Sequence, residues 1–167
     1  MHRLVRWMPS VALVAITPAC ASPKARSPYD ALVAPDERTV STWILRALRK
    51  ERLEAETGRT IDVGGAKIVA EASVVGKPWS IVWLRRDEQA DLAAKFGFQR
   101  ADGALLVYGG AGDDAAERFL VLLEQDYRYD KDPRGDEGVV RSVQEVEARV
   151  IRDVVDFLVR AREGRLP

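Results

Sequence analysis

Residues 117–130 read ERFLVLLEQDYRYD, and the fold turns on whether this segment is a strand or a helix. With period two, Phe119, Val121, Leu123, Tyr127 and Tyr129 share one face. With helical period, Ala116, Phe119, Leu120, Leu123 and Tyr127 do. The unbroken FLVLL run follows a glycine-rich turn, GGAG at 109–112, and that favours a strand.

Upstream, GALLVYGG (103–110) reads as a buried strand, so the two runs make a strand pair. AKIVAEASVV (66–75) and WSIVWLR (79–85) are short, β-branched and aromatic, and GKP separates them as a hairpin connection. RDEQADLAAKFG (86–97) reads as a short helix with an acidic first turn and a glycine stop. Before these, residues 36–58 place Val40, Trp43, Ile44, Ala47, Leu48 and Leu53 near helical spacing, with Asp36 as cap and Gly58 as terminator. Arg46, Arg49 and Lys50 alternate with Glu51, Glu54 and Glu56, which predicts a solvated, ion-paired face.

At the other end, Ser142 and Glu145 form an S-x-x-E capping box. Val143, Val146, Val150, Ile151, Val154, Phe157, Leu158 and Ala161 then make an apolar stripe that stops at Gly164. The predicted order is α-ββ-α-ββ-α, an α+β two-layer sandwich of three helices on a four-stranded, mainly antiparallel sheet.

The 167 residues are 47% apolar and 31% charged, enough for one core. The 26 basic and 26 acidic residues cancel. Arg3 and Arg6 precede Cys20 and no acid does, so 24 basic against 26 acidic residues remain, about −2. That balance lacks the footprint of a nucleic-acid binder.

The first 20 residues have three parts: the basic MHRLVR, the apolar WMPSVALVAI and the small-residue TPAC. This is the layout of a secretory signal peptide, and its apolar part is shorter than the roughly 20 residues of a spanning helix. TPAC resembles the lipobox of bacterial lipoproteins, with Ala19 and Cys20 matching and Thr17 and Pro18 departing from the usual residues. The resemblance implies that Cys20 becomes the first residue and is acylated on sulfur and nitrogen. Several acyl chains make a stable anchor. ACA at 19–21 also offers an ordinary A-x-A cleavage site. Residues 21–35, with three prolines, read as a flexible tether, and 36–167 as a single domain. Ala21 after the cysteine, in place of aspartate, implies the outer membrane by the enterobacterial sorting rule.

The one histidine, His2, lies in the leader, as does the one cysteine. Past Cys20, Ser-His-Asp and Cys-His nucleophiles and Cys/His zinc sites are excluded, and no cofactor is expected. Three candidates remain. Gly110, Gly112 and Ala115 have the spacing of a G-x-G-x-x-A phosphate turn if residues 113–124 are helical. Asp126, Asp130, Asp132 and Asp136 offer oxygen ligands for calcium, although Arg134 and Arg141 stand where an EF-hand needs ligands. Glu71, Glu124 and Asp126 are carboxylates on expected strands, as glycoside hydrolysis requires. Among the aromatics, Trp43, Trp79 and Trp83 read as core, and Tyr127 and Tyr129 as the candidates for a surface patch.

The functional expectation is a membrane-tethered envelope lipoprotein on the periplasmic side. It would act as a non-enzymatic binding or assembly module with another envelope protein as partner. The alternative is a small envelope hydrolase or calcium-dependent binder using carboxylates in 113–136.

Overall fold

The computed structural model describes residues 32–89, 92, 105–130 and 141–167. Segment 118–123 is a strand, and around it the described residues make a mixed α/β domain with three helices and a mainly antiparallel sheet. The strands are β1 (Leu32–Val33), β2 (Ala55–Glu56), β3 (Thr60–Asp62), β4 (Lys67–Val69), β5 (Ala72–Val74), β6 (Trp79–Leu84), β7 (Leu106–Gly109), β8 (Arg118–Leu123) and β9 (Tyr129–Asp130). The helices are α1 (Glu37–Lys50), α2, described at residues 86–89 and 92, and α3 (Val143–Arg162).

Among the described residues the sheet has five strands, where four were expected, in the order β2-β5-β6-β8-β7. Its central pair, β6 and β8, is parallel from Trp79↔Arg118 to Leu84↔Leu123, and the other pairings are antiparallel. The expected hairpin is present, with Ala72 opposite Ile81 and Ser73 opposite Ser80. Two short ribbons, β1-β9 and β3-β4, were not expected from the sequence. Leu32–Val33 pair with β9 and Pro35 is buried, so residues 32–35, expected in the tether, lie within the fold.

The layers also differ from the expected two. Helices α1 and α3 cover one sheet face, burying Trp43, Ile44, Leu48, Val154 and Phe157 against Ile81, Trp83, Leu120 and Leu122. The β3-β4 ribbon and Leu92 of α2 cover the other face, over Val82, Leu84, Phe119, Val121 and Leu123. Strands buried on both faces read as continuous apolar runs, and FLVLL is one.

AKIVAEASVV is not one strand. Ile68, Ala70, Ala72 and Val74 keep period two, yet the first two enter the ribbon-side core and the last two the helix-side core. The chain changes sheets between them. The Ala70 amide bonds the Arg59 carbonyl, and the next amide, Glu71, bonds Ile81 across the main sheet.

Both long helices begin where the sequence predicts. Asp36 accepts the Thr39 amide at 2.8 Å, and the Ser142–Glu145 capping box is complete. Helix α3 ends at Gly164, φ +64°, in a Schellman turn: Gly164 N–H donates to Ala161 and Arg165 N–H to Arg160. Helix α1 stops eight residues before Gly58. Arg52 takes φ +58°, Arg52 N–H donates to Arg49, and Leu53 N–H to Leu48, the same turn built on arginine. The charged face of α1 is paired across to α3, through Arg46–Glu147 and, at 2.7 Å, Glu51–Arg162.

Candidate functional site

The sheet change at Glu71 opens a cavity of about 340 Å³. Its apolar wall is Ile68 and Val69 of β4, Trp83 and Leu84 at the carboxyl end of β6, and Leu92. Its polar wall is drawn from separate elements: Glu37 from the first turn of α1, Lys67 from β4, Glu71 from the bend, and Arg85 and Glu88 from the start of α2. The volume falls at the small end of ligand sites, enough for one long side chain or a compact molecule.

Glu71 is half-buried, and Ser41 Oγ on α1 donates a hydrogen bond to its Oε2. Burial raises its pKa above the ordinary glutamate value, and the charges of Glu37 and Glu88 add to that, while the Ser41 bond opposes it. Arg85 is held in its charged form by Glu88 and Asp87, each 3.4 Å away. Glu88 Oε2 also accepts the Arg85 amide at 3.1 Å, which starts α2. The cavity thus presents three acids, Glu37, Glu71 and Glu88, and two bases, Lys67 and Arg85, beside an apolar floor. With Glu71 ionised the acids outnumber the bases, and Arg85 is already engaged by Glu88 and Asp87, which suits a ligand with an apolar stem and a basic end.

Among the sequence candidates that are described, Glu71 lines this cavity and the others do not. Glu124 and Asp126 lie in a single 3-10 turn (Glu124–Asp126), not on a strand, so the expected strand carboxylates are not brought together with Glu71. Glu124 accepts the Arg86 amide at 3.2 Å and lies 3.6 Å from Arg128. The Asp126 carbonyl accepts from Arg149 at 3.0 Å. Asp130 sits in β9, its amide bonded to the Arg141 carbonyl. Cys20, Asp132 and Asp136 lie outside the described residues. Among the described residues no three His, Cys, Asp or Glu groups are placed to hold a metal. No helix among them is long and apolar enough to cross a membrane.

The glycine motif is a structural turn, because residues 118–123 after it are strand and offer no helix N-terminus to a phosphate. Residues Gly112–Asp114 form a 3-10 turn joining β7 to β8. Asp114 ties that turn to the ribbon, its Oδ2 accepting the Asp62 amide and its Oδ1 the Arg59 guanidinium, both at 2.9 Å. Those bonds hold the Asp114 carboxyl below its ordinary range. Arg59 also lies 3.3 Å from the buried Glu117, which accepts from Ser80, itself 2.7 Å from Ser73.

The expected face shared by Phe119 and Tyr127 is broken by the 3-10 turn, which sends Tyr127 to the helix-side core. It is 2% exposed there, packed on Trp83 at 5.7 Å and donating to the buried Asp153 at 2.7 Å. Tyr129 is half-buried against the same core, so neither tyrosine forms a surface patch. The expectations missed Glu37, Ser41 and Glu88 as partners of Glu71. The acids carry a signal only as first-turn residues of helices, which is how helix dipoles are ordinarily complemented.

Comparison with models of known protein families, with curated proteins and with solved structures finds no match for this chain.

Proposed function

We propose that this protein is a lipid-anchored component of the cell envelope, and that its domain is a non-enzymatic binding or assembly module that grips a partner at the Glu71 cavity. The anchor is Cys20, on the strength of the lipobox-like TPAC at residues 17–20. The observation that carries the binding reading is the cavity itself: an apolar floor with Trp83, and a half-buried carboxyl set among two further acids that, with Glu71 ionised, outnumber the bases Lys67 and Arg85. Its partner is a segment of another envelope protein that presents a lysine or arginine side chain. The stem of such a side chain covers apolar surface while its charged head meets the acids. The anchor places the domain on the periplasmic side, at the outer membrane.

The experiment is photo-crosslinking in living cells, with the reactive residue at position 69 on the cavity lip or at position 159 on α3. Val69 and Val159 are both exposed, at 59% and 38%. An adduct to one envelope protein from position 69, weakened by Glu71→Arg and missing from position 159, is the expected outcome. Identical adducts from both positions would reject the cavity as the gripping site. In the same cells Cys20→Ser should lose acyl labelling and leave the membrane fraction; retained attachment sinks the anchor.

A further inference from the structure

The two strands of the β3–β4 ribbon leave their outer edges in different states. In its ladder the Val63 amide bonds the Ala66 carbonyl and the Ala70 amide bonds the Arg59 carbonyl, with Ile61 opposite Ile68 midway between. Antiparallel ladders alternate, so Ile68 bonds toward β3, while the N–H and C=O groups of Lys67 and Val69 point out of the ribbon. Those of Asp62 point out on the β3 side, and they are taken: its amide donates to Asp114 Oδ2 and its carbonyl accepts from Ala111. The outward groups of Lys67 and Val69 meet no strand among the described residues. The Glu71 cavity runs along that open edge, since Lys67, Ile68 and Val69 line it and no β3 residue does.

Resting on the binding reading above, we infer that the partner segment binds as an added strand: it pairs antiparallel with β4 through the outward groups of Lys67 and Val69, and the residue opposite Ile68 sends its basic side chain into the cavity. Antiparallel pairing is the more stable kind per residue. Ile68 turns inward to the ribbon-side core, and Lys67 and Val69 turn to solvent. A strand laid beside β4 keeps this pleat, so the side chain opposite Ile68 points over Leu84 toward Glu37, Glu71 and Glu88. Its neighbours lie opposite Lys67 and Val69, where an acid suits the first and an apolar residue the second. Backbone bonds supply the grip, and the cavity supplies the choice of side chain. The segment that fits is extended and reads apolar, basic, acidic in chain order.

The test is amide-resolved NMR on the full chain carrying Cys20→Ser, first alone and then with the acetylated, amidated peptide TTVKETT. Alone, the Lys67 and Val69 amides should exchange quickly with solvent and the Ile68 amide slowly. Protection of Lys67 and Val69 in the free protein, constant or growing with protein concentration, would show that the chain itself or a second copy already covers the edge, and overturns the proposal. The peptide should slow exchange at both amides and shift the Glu71 signals. N-methylation of the peptide's valine or glutamate, whose amides face β4, should weaken binding about tenfold or more, while N-methylation of its lysine, whose amide faces away, should leave binding nearly unchanged. Any other pattern overturns the pairing. A Glu71 shift produced by Nα-acetyl-lysine N-methylamide, with the peptide adding no protection at Lys67 and Val69, rejects the added strand and leaves the cavity as a site for basic groups. Silence toward both probes rejects the binding reading and the strand with it.

Discussion

Gly110 shows how a motif can be read correctly as glycine-dependent and wrongly as a ligand site. The spacing Gly110-x-Gly112 invites a phosphate, yet a Cβ at position 110 would collide with the backbone carbonyl oxygen of Asp114. The glycine is needed because Gly110 N–H donates to Glu117 while the 3-10 turn folds back over it. Gly110→Ala should therefore destabilise the protein by about 3 kcal/mol, since the obstacle is backbone and cannot swing aside. Urea unfolding with an unchanged slope reads this; a loss under about 0.5 kcal/mol would show that the turn relaxes freely. Glu71 is the opposite case. It was legible as a carboxylate on an extended segment, but nothing local could reveal that the strand changes sheets at that residue. The partners Glu37, Ser41 and Glu88 come from elements that only tertiary packing brings to it.

At the scale of elements, the starts of the helices were legible and one end was not. A cap is a local contract: Asp36 reaches Thr39 and Ser142 reaches Glu145, three residues on, so the spacing alone identifies it. The end of α1 rests on Arg52 in the left-handed region, where glycine is the usual residue and arginine carries no signal. Leu53 explains why the turn forms anyway, since the turn brings that side chain back onto the helix-side core. A non-glycine residue in that conformation costs about 1–2 kcal/mol, partly offset by the greater freedom glycine has when unfolded. Arg52→Gly should then stabilise the protein by about 0.5–1 kcal/mol, seen as a rise of roughly 2–4 °C in Tm. An unchanged or lower Tm would show that the arginine side chain contributes contacts that outweigh the strain.

At the scale of the molecule, three carboxyls among the described residues have shifted proton affinity and set opposing slopes of stability against pH. Asp36 and Asp114 are lowered by hydrogen bonds to backbone amides, so their contribution is present above their ordinary value of 3.8 and lost as pH falls through the lowered one. Glu71 is raised, so its contribution is full below the ordinary 4.5 and lost as pH rises through the raised value. Stability should peak in mildly acidic solution, and Glu71→Gln should remove the decline on the alkaline side; a decline unchanged in that variant would assign it to other groups. The layer count was the largest feature that sequence reading missed. WSIVWL and RFLVLL run apolar with little alternation, which two buried faces require, but runs of that length fit a buried helix segment equally well. The ribbon that supplies the third layer rests on strands of three residues, too short to show a period. The parallel pairing also governs how the chain reaches this state. Each β6 residue meets the β8 residue 39 positions later, and α1 joins α3 across separations of 101 and 111 residues. The helix-side core cannot be completed until the last helix has been made. Folding is then a late, concerted event, on the order of milliseconds to seconds for such non-local topologies.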